Sequence, residues 1–285
     1  MISCVVLTTG ARPVELEAAL DSVRHQADVE VELIVVYNVD GSQEPPEGHD
    51  GVRWITPGTN LGIPAGRNLG ASHATGELVL FLDDDGLLAT TDILARAQAS
   101  FLADPWLAVV TMRIVDPETG ETQRRHVPRL RVGDPSRGSW VTTFLGGASV
   151  VRRSAFEEVG GYPGEFFYAH EETSVAWKLI DQGYRIRYAG ELVMHHPGFP
   201  PARHVEYHHL TARNRVLLAR MHLPVVIAVL YLAIWLLLTL LRQRNGFGAS
   251  LRGAVEGLRM SEVARQPIRW RTVWQLTRYG RPPIL

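Results

Sequence analysis

The first hundred residues alternate short apolar runs with segments of helical spacing, and this alternation is the strongest constraint on the fold. The apolar runs predict strands at 2–7, 31–37, 52–55 and 77–82, and the helical spacing predicts helices at 14–23, 64–74 and 92–103. Strands and helices in this order are typical of an α/β layer with a mostly parallel central sheet.

The second half of the chain is less regular. Apolar patterning predicts strands at 107–115, 148–151, 185–189 and 192–194, and helices at 154–159 and 173–182. The later helix ends at Gly183, a residue type common at helix C-termini. We find no internal repeat and no low-complexity tract, so these elements extend the same α/β architecture.

Polar clusters follow three of the predicted strands: Thr8-Thr9, Asn38 with Asp40, and Asp83-Asp84-Asp85. In open α/β sheets, ligands bind at the carboxyl ends of the strands. We therefore expect one pocket to collect all three clusters.

The triplet Asp83-Asp84-Asp85 follows the apolar strand LVLFL. Three adjacent carboxylates repel one another in a partly desolvated pocket unless a cation lies among them. Mg²⁺ or Mn²⁺ would remove this repulsion and could then hold a diphosphate. The alternative is a solvated acidic turn, but the five apolar residues before the triplet favour a metal site.

Two glutamates, Glu171 and Glu172, come just before the predicted helix at 173–182. One of them could act as a general base that deprotonates an acceptor hydroxyl. Alternatively, both could be favourable partners of the helix N-terminus. The residues Phe166, Phe167 and Tyr168 would wall a pocket there and raise a carboxylate pKa.

The histidine pair His195-His196 ends the last predicted strand. A single histidine is more often a core residue than a ligand, but the acidic cluster elsewhere in the chain favours a metal-binding role for one of the two.

A glycine-bearing loop, Asn60 to Asn68, enters the helix predicted at 64–74. Such an entrance can accept an anionic group, with Arg67 as a bidentate clamp. The loop lacks both the P-loop lysine and the G-x-G-x-x-G spacing, which disfavours ATP hydrolysis and nicotinamide binding. The alternative is a tight turn that needs glycine only for its shape.

Four segments of the chain, in this order, carry a resemblance to a known family: VVLTTGARPVELEAALDSVRHQ, NLGIPAGRNLGASHATGELVLFLDDDG, GGASVVRRSAFEEVGGYPGEFFYAHEETSVAWKLIDQGYRIRYAG and LVMHHPG. With them the chain resembles a family 2 glycosyltransferase of the GT-A fold, over about residues 2–215. It implies an inverting transfer of a sugar from a nucleoside-diphosphate sugar to a hydroxyl acceptor, with a divalent metal and without a covalent intermediate.

The resemblance also implies roles for individual residues. The donor would be bound by Thr8, Thr9, Arg12, Asn38, Asp40, Asn60, Arg67, Asp83, Asp84, Gly146 and Gly147. The metal ligands would be Asp83 and Asp85 with His195 or His196, and the base would be Glu171 or Glu172. The chain departs from the family where Glu172 replaces the usual aspartate and where Ser174 replaces a frequent one.

Three other functions use similar residues. A phosphatase of the haloacid dehalogenase type would place its nucleophile on the first strand of the core domain, whereas here about eighty residues precede the aspartates. A sugar nucleotidyltransferase would need a glycine-rich basic loop after the first strand. The segment Thr9-Gly10-Ala11-Arg12 resembles such a loop only weakly, because it has one glycine and one basic residue. A membrane-anchored binding protein would bind a nucleotide sugar without turnover.

The run 223–241 contains no charged residue and is almost long enough to cross a hydrocarbon core of about 30 Å. We divide the chain into a glycosyltransferase domain at 1–200 (donor half 1–110, acceptor half 111–200), a basic amphipathic connector at 201–222, the membrane segment at 223–241 and an arginine-rich tail at 242–285. The tail has nine arginines and two acidic residues.

We expect the protein at the cell membrane, with its catalytic domain facing the cytoplasm and a lipid-linked or envelope glycan as the acceptor. A full span would put the arginine-rich tail outside, against the positive-inside tendency. A segment lying in the interface avoids this conflict, and both topologies stay open. The N-terminus has no signal-peptide pattern.

Composition excludes two further classes. The net charge of −1 provides no overall field for nucleic-acid binding, and the single cysteine, Cys4, excludes an intrachain disulfide and a cysteine-based zinc site.

Overall fold

The strands form one mixed sheet, and its central apolar strands are buried on both faces. The computed structural model describes residues 1–41, 45, 50–198, 206–242, 246–261 and 263–284. The strands within this part are β1 Ile2–Thr8, β2 Val31–Tyr37, β3 Val52–Ile55, β4 Leu78–Asp83, β5 Leu87–Leu88, β6 Leu107–Val115, β7 Ser139–Trp140, β8 Ala148–Arg152 and β9 Arg185–His195. The helices are α1 Pro13–Arg24, α2 Gly62–Ser72, α3 Ile93–Ala103, α4 Arg153–Glu158, α5 Glu171–Gln182, α6 Tyr207–His222, α7 Val225–Arg242, α8 Phe247–Arg259 and α9 Trp270–Tyr279.

The strand order is β3-β2-β1-β4-β8-β6-β9-β5, with β7 paired to β9. The strands β3, β2, β1 and β4 are all parallel, β8 is antiparallel to both of its neighbours, and β6 is parallel to β9. In the parallel part Thr8 pairs with Tyr37 and Leu7 with Asp83, so β1, β2 and β4 end at the same level. This common edge confirms the predicted parallel layer.

Alternate residues of β1 enter two separate apolar clusters. Val5 packs in one cluster with α5, α6 and α7, while Cys4 and Val6 pack in the other with α1 and α3. Covering a parallel sheet on both faces in this way accounts for the nearly continuous apolar runs. Cys4 is fully buried, and burial raises the pKa of its thiol far above the ordinary value, so the thiol is unreactive.

Several predicted boundaries were wrong. The helix predicted at 64–74 runs from Gly62 to Ser72, so most of the predicted loop at 60–68 belongs to it. The strands predicted at 185–189 and 192–194 form one strand, because Ala189 pairs with Met112 and Val193 with Arg113, and the residues between them bulge out. Gly190 lies against the backbone of Ser136, where a side chain would not fit. The helix predicted to begin at residue 173 begins at Glu171, which places both glutamates in its first turn.

The C-terminal helices occupy the predicted connector, apolar segment and tail. Residues 201–205 of the connector and 243–245, 262 and 285 of the tail lie outside the described residues. By length and composition, α7 is the one described helix able to cross a membrane. It packs against the domain on one side only, through Tyr231 and Trp235.

Candidate functional site

A pocket of about 440 Å³ opens at the common edge of β1, β2 and β4. The three polar clusters predicted to meet do meet there, joined by residues from α2, from the segment before α5 and from the end of β9. The lining includes Thr8, Thr9, Arg12, Asn38, Asn60, Arg67, Asp83, Asp84, Asp85, Phe167, Tyr168 and His196.

The three aspartates make different contacts. Asp84 is buried, accepts a hydrogen bond of 2.7 Å from the Thr8 hydroxyl and pairs at 2.6 Å with Arg12. Asp85 is also buried and pairs with the same guanidinium of Arg12. Asp83 is more exposed and faces Arg67. Arg12 therefore compensates two of the three carboxylates.

Asp83, Asp85 and His196 bring one possible ligand atom each to within 4.8 Å of one another. His196 Nε2 lies 3.1 Å from Asp85 Oδ1 and 3.9 Å from Asp83 Oδ2. The other ring nitrogen of His196 lies 2.7 Å from the carbonyl oxygen of Pro197, an arrangement that orients a metal-binding imidazole. Two carboxylates and an imidazole suit Mn²⁺ or a similar divalent cation.

His195 was the other predicted ligand. It pairs with Leu87 inside the sheet, and the group that could hold a metal ion among the described residues contains His196 in its place. Successive residues of a strand point to opposite sides, so only one of two adjacent histidines can face the aspartates.

Arg67 connects the aspartates with the glutamates. Its side chain is buried on α2, with Nη2 2.9 Å from Asp83 Oδ1 and Nη1 3.8 Å from Glu172 Oε1 and 4.0 Å from Glu171 Oε1. Burial alone would lower the pKa of Arg67, but the charge of Asp83 and then of the glutamates keeps it above the ordinary value. One cation thus serves both carboxylate groups.

Gly146 and Gly147 form the wall beside this cation. A Cβ atom at Gly147 would overlap the carboxylate of Asp83, and one at Gly146 would overlap Arg67 and the carboxylate of Glu172. The backbone N–H of Asp83 also donates to the carbonyl oxygen of Gly147. Glycine is therefore required at both positions for the side chains of Asp83, Arg67 and Glu172 to occupy these places, although Gly146, Gly147 and Glu172 do not line the pocket itself.

Glu171 and Glu172 differ in exposure. The side chain of Glu171 is 3% exposed, and its Oε2 has no hydrogen-bond partner among the described residues, whereas the side chain of Glu172 is 22% exposed. Burial, with the neighbouring charge of Glu172, raises the pKa of Glu171 to about 8. Burial also raises the pKa of Glu172, opposed by Arg67. Glu172 is the carboxylate that solvent can reach.

The remaining predicted donor-binding residues fix the loop before α2. Asn38 accepts a hydrogen bond from the backbone of Leu61 at 2.8 Å and donates to Asn60 Oδ1 at 3.0 Å. Asp40 accepts from the backbone of Asn60 at 2.8 Å and does not line the pocket itself. Thr9 lies at the rim. Asp40 therefore contributes to the pocket indirectly, by holding the backbone of Asn60, which lines it.

The segment before α5 is strained. Phe167, Ala169 and His170 all have positive φ, at 59°, 72° and 72°, which non-glycine residues rarely adopt. The backbone of Ile63 donates to the carbonyl oxygen of Phe167 at 2.8 Å and ties this segment to α2. Such strain persists only where the surroundings hold it in place, and it clusters at functional sites.

Asn214 of α6 holds this segment and is the residue that sequence analysis missed. It is fully buried, and its Nδ2 lies 2.6–2.9 Å from the carbonyl oxygens of Phe166, Tyr168 and Ala169. Arg213 adds contacts to Phe166 and Glu165. A signal was present, since Leu210, Leu217 and Leu218 place Asn214 on the apolar side of its helix.

Comparison with known proteins matches residues 3–160 to the family described as Glycosyl transferase family 2. The chain is 29% identical over 170 residues to the pre-mycofactocin glycosyltransferase of Mycobacterium tuberculosis, over 55% of this chain and 36% of the relative. It is 27% identical over 141 residues to the O-antigen chain rhamnosyltransferase RfbN of Salmonella typhimurium, over 46% of this chain and 44% of the relative. The match thus spans less than half the length of each relative.

Among solved structures, a crystal structure of GalNAc-T7 with UDP, GalNAc and Mn²⁺ is similar to this chain. The TM-score is 0.63 at 15% identity, over 81% of this chain and 49% of that one. This likeness shows the fold, which is the GT-A type expected from the sequence.

We predict that Asn214→Ala loosens the segment before α5. Losing the amide removes one hydrogen-bond partner from each of the carbonyl groups of Phe166, Tyr168 and Ala169, although Phe166 keeps Arg213. The cost is about 1–3 kcal/mol for a buried group that is left without another partner. Amide hydrogen exchange across residues 167–172 should therefore accelerate. The matched control is Asn68→Ala, which removes two hydrogen bonds to the backbone of Tyr162. An equal acceleration in both variants would contradict a specific role of Asn214.

We also predict that Glu171 makes stability depend on pH. Its pKa is raised in the folded state, so the neutral form favours folding, and this contribution is lost as pH rises from the unfolded value near 4.5 through about 8. The difference in melting temperature between Glu171→Gln and the wild type should therefore increase in favour of the variant from pH 5 to pH 9. Each kcal/mol of stability that the wild type loses over this range lowers its melting temperature by about 2–4 °C. Glu157→Gln, at an exposed ion pair, should show a constant difference. A constant difference for both variants would refute the prediction.

Proposed function

Since the family match covers more than half of the chain, the protein belongs to glycosyl transferase family 2, and we propose that it is an inverting glycosyltransferase. It would transfer a sugar from a nucleoside-diphosphate sugar to a hydroxyl acceptor. One observation carries this proposal: the buried cation Arg67 joins a possible metal site in the pocket, at Asp83, Asp85 and His196, to a glutamate pair just beyond the pocket lining.

The donor would lie along the edge of the parallel strands. Thr8, Thr9, Asn38 and Asn60 offer hydroxyl and amide groups to the base and ribose, with Asp40 holding Asn60 in place. Arg12 and Arg67 flank the aspartates, where a diphosphate would lie, and Asp84 fixes Arg12. Gly146 and Gly147 leave room for the sugar.

Asp83, Asp85 and His196 would hold the divalent metal. When bound, the metal would neutralise charge on the departing nucleoside diphosphate. Asp83 also pairs with Arg67, so the same carboxylate would orient a cation on each side. This arrangement supports a metal-dependent donor site.

Glu172 would be the base. It is the more exposed of the two glutamates, and its carboxylate lies at the glycine wall beside Arg67. It would remove the proton from the acceptor hydroxyl while the oxygen attacks the anomeric carbon. Glu171, buried behind it, would hold Arg67 in position.

The acceptor would be a lipid-linked or cell-envelope glycan, and the protein would act at the membrane with its catalytic domain on the cytoplasmic side. The apolar helix α7 supports the location, and the O-antigen enzyme among the relatives supports the acceptor class. In this proposal residues 1–200 carry the reaction, 1–110 for the donor and 111–200 for the acceptor. The segment 223–241 and the tail 242–285 would serve attachment, and the connector 201–222 would join them to the domain while Asn214 holds the segment before α5.

The first test is release of nucleoside diphosphate from a panel of nucleotide sugars with Mg²⁺ or Mn²⁺. We expect Asp85→Asn to abolish metal-dependent release. Glu172→Gln should keep donor affinity but lose about 10²–10⁴-fold in turnover, and Glu171→Gln should lose less. Release of nucleoside monophosphate or free phosphate would overturn the proposal in favour of a nucleotidyltransferase or a phosphatase.

The two histidines provide a separate test of the metal site. His196→Ala should weaken Mn²⁺ binding, measured by electron paramagnetic resonance, by at least the ~10–100-fold typical of losing a ligand's supporting hydrogen bond. His195→Ala should bind Mn²⁺ like the wild type. Equal affinity in both variants would remove His196 from the proposed ligand set.

A further inference from the structure

The helix α7 is apolar all round but is covered on one side only. Its uncovered side forms a continuous stripe, each of whose large side chains is 46–67% exposed. The stripe consists of Val225, Val226, Val229, Leu230, Leu236, Leu237, Leu240 and Leu241. These positions recur at helical spacing over the full length of α7, which at 1.5 Å per residue is about 27 Å.

The covered side of α7 contacts the catalytic domain at the middle of the helix. The ring of Tyr231 meets that of Trp177 on α5 with 6.5 Å between centroids, and Trp235 lies 3.8 Å beneath the guanidinium of Arg215 on α6. Thr239, two turns after Tyr231, is also buried. The helix thus lies lengthwise along the domain.

These contacts conflict with a membrane span. If α7 crossed the bilayer, the elements packed along its middle would enter the hydrocarbon with it. On α6, next to Arg215, Arg213 and His209 pair with Glu256 of α8 at 3.3 Å and 2.7 Å. Charged side chains at the bilayer centre are costly, which disfavours this placement.

The neighbouring helices carry the same kind of outward surface. Trp270 and Trp274 of α9 are 56% and 72% exposed, and Leu251 and Leu258 of α8 are also exposed. The side chain of Asp181 binds the start of α9, one turn along α5 from Trp177, so α7 and α9 pack on the same face of α5. Exposed arginines accompany these apolar groups on both helices: Arg252, Arg259, Arg271 and Arg278.

We propose that the exposed stripe of α7, with Leu251, Leu258, Trp270 and Trp274, is a face that binds an anionic lipid bilayer in the plane of the interface. We name it the membrane face. The apolar side chains enter the acyl region, tryptophans lie at headgroup level and arginines meet the anionic headgroups. Both ends of α7 then stay on one side of the bilayer, and the arginine-rich tail is not translocated.

This inference deepens the proposed membrane location and is independent of the proposed reaction. The charge of the flanking helices is what favours lipid over another protein, because arginines beside an apolar membrane-binding surface are attracted to anionic headgroups. Binding should therefore depend on anionic lipid and weaken with salt.

The binding test is flotation of the full chain with vesicles of phosphatidylcholine, with and without phosphatidylglycerol. We expect binding that phosphatidylglycerol strengthens and that the double variant V229D/L237D abolishes. Leu102→Asp, at an exposed leucine of α3, is the matched control and should bind like the wild type. Equal binding by V229D/L237D, or self-association without vesicle binding, would overturn the proposal.

The topology test uses cysteine labelling, because the single native cysteine is buried. Ser72→Cys before α7 and Gln275→Cys after it place exposed thiols on either side of the helix. Gln275 lies about 100° or more around α9 from Trp270 and Trp274, so the membrane face does not cover it. In protein synthesised in the presence of sealed vesicles, we expect a membrane-impermeant maleimide to label both thiols from outside. Protection of one thiol until detergent is added would show a span and refute the in-plane arrangement.

Donor binding separates the two proposals. V229D/L237D should bind a nucleotide sugar as the wild type does, because the membrane face and the pocket share no residue. If the donor assay fails while flotation succeeds, the proposed reaction is wrong and the membrane face stands. The reverse result rejects the membrane face alone.

Discussion

The pocket depends on how five carboxylates share two guanidinium groups. Arg12 compensates Asp84 and Asp85, while Arg67 faces Asp83 and the pair Glu171 and Glu172. Desolvated like charges at such close range destabilise a fold unless cations lie among them. The loop after β1, the helix α2, the end of β4 and the start of α5 are therefore fixed relative to one another by charge as much as by packing.

The sequence predicted the parallel layer and its polar edge because both follow from local patterns. Apolar runs define the strands, and parallel strands place their carboxyl ends together. Thr8, Asn38 and Asp83 could therefore be assigned to one pocket from the sequence alone. The bulge in β9 was missed because Gly190 and Glu191 are locally typical of a turn. Only the pairing with β6 shows that the strand continues.

Other features depend on contacts between distant parts of the chain. Which of His195 and His196 lies beside Asp83 and Asp85 depends on which ring turns toward the aspartates at the end of β9. That Arg67 joins the metal side to the glutamates could not be predicted, because the two groups are about ninety residues apart. For Asn214 the sequence showed a place on the apolar side of α6 but not its partners, which are carbonyl groups of a strained segment that no sequence pattern marks.

Three consecutive residues of α6 contact three different structures: Arg213 reaches Glu256 of α8, Asn214 holds the segment before α5, and Arg215 covers Trp235 of α7. Each residue of a helix is rotated about 100° from the previous one. An insertion or deletion within α6 would turn one part of the helix against the other and separate these contacts. Length variation among related chains should therefore be absent from this helix, none of whose residues is exposed.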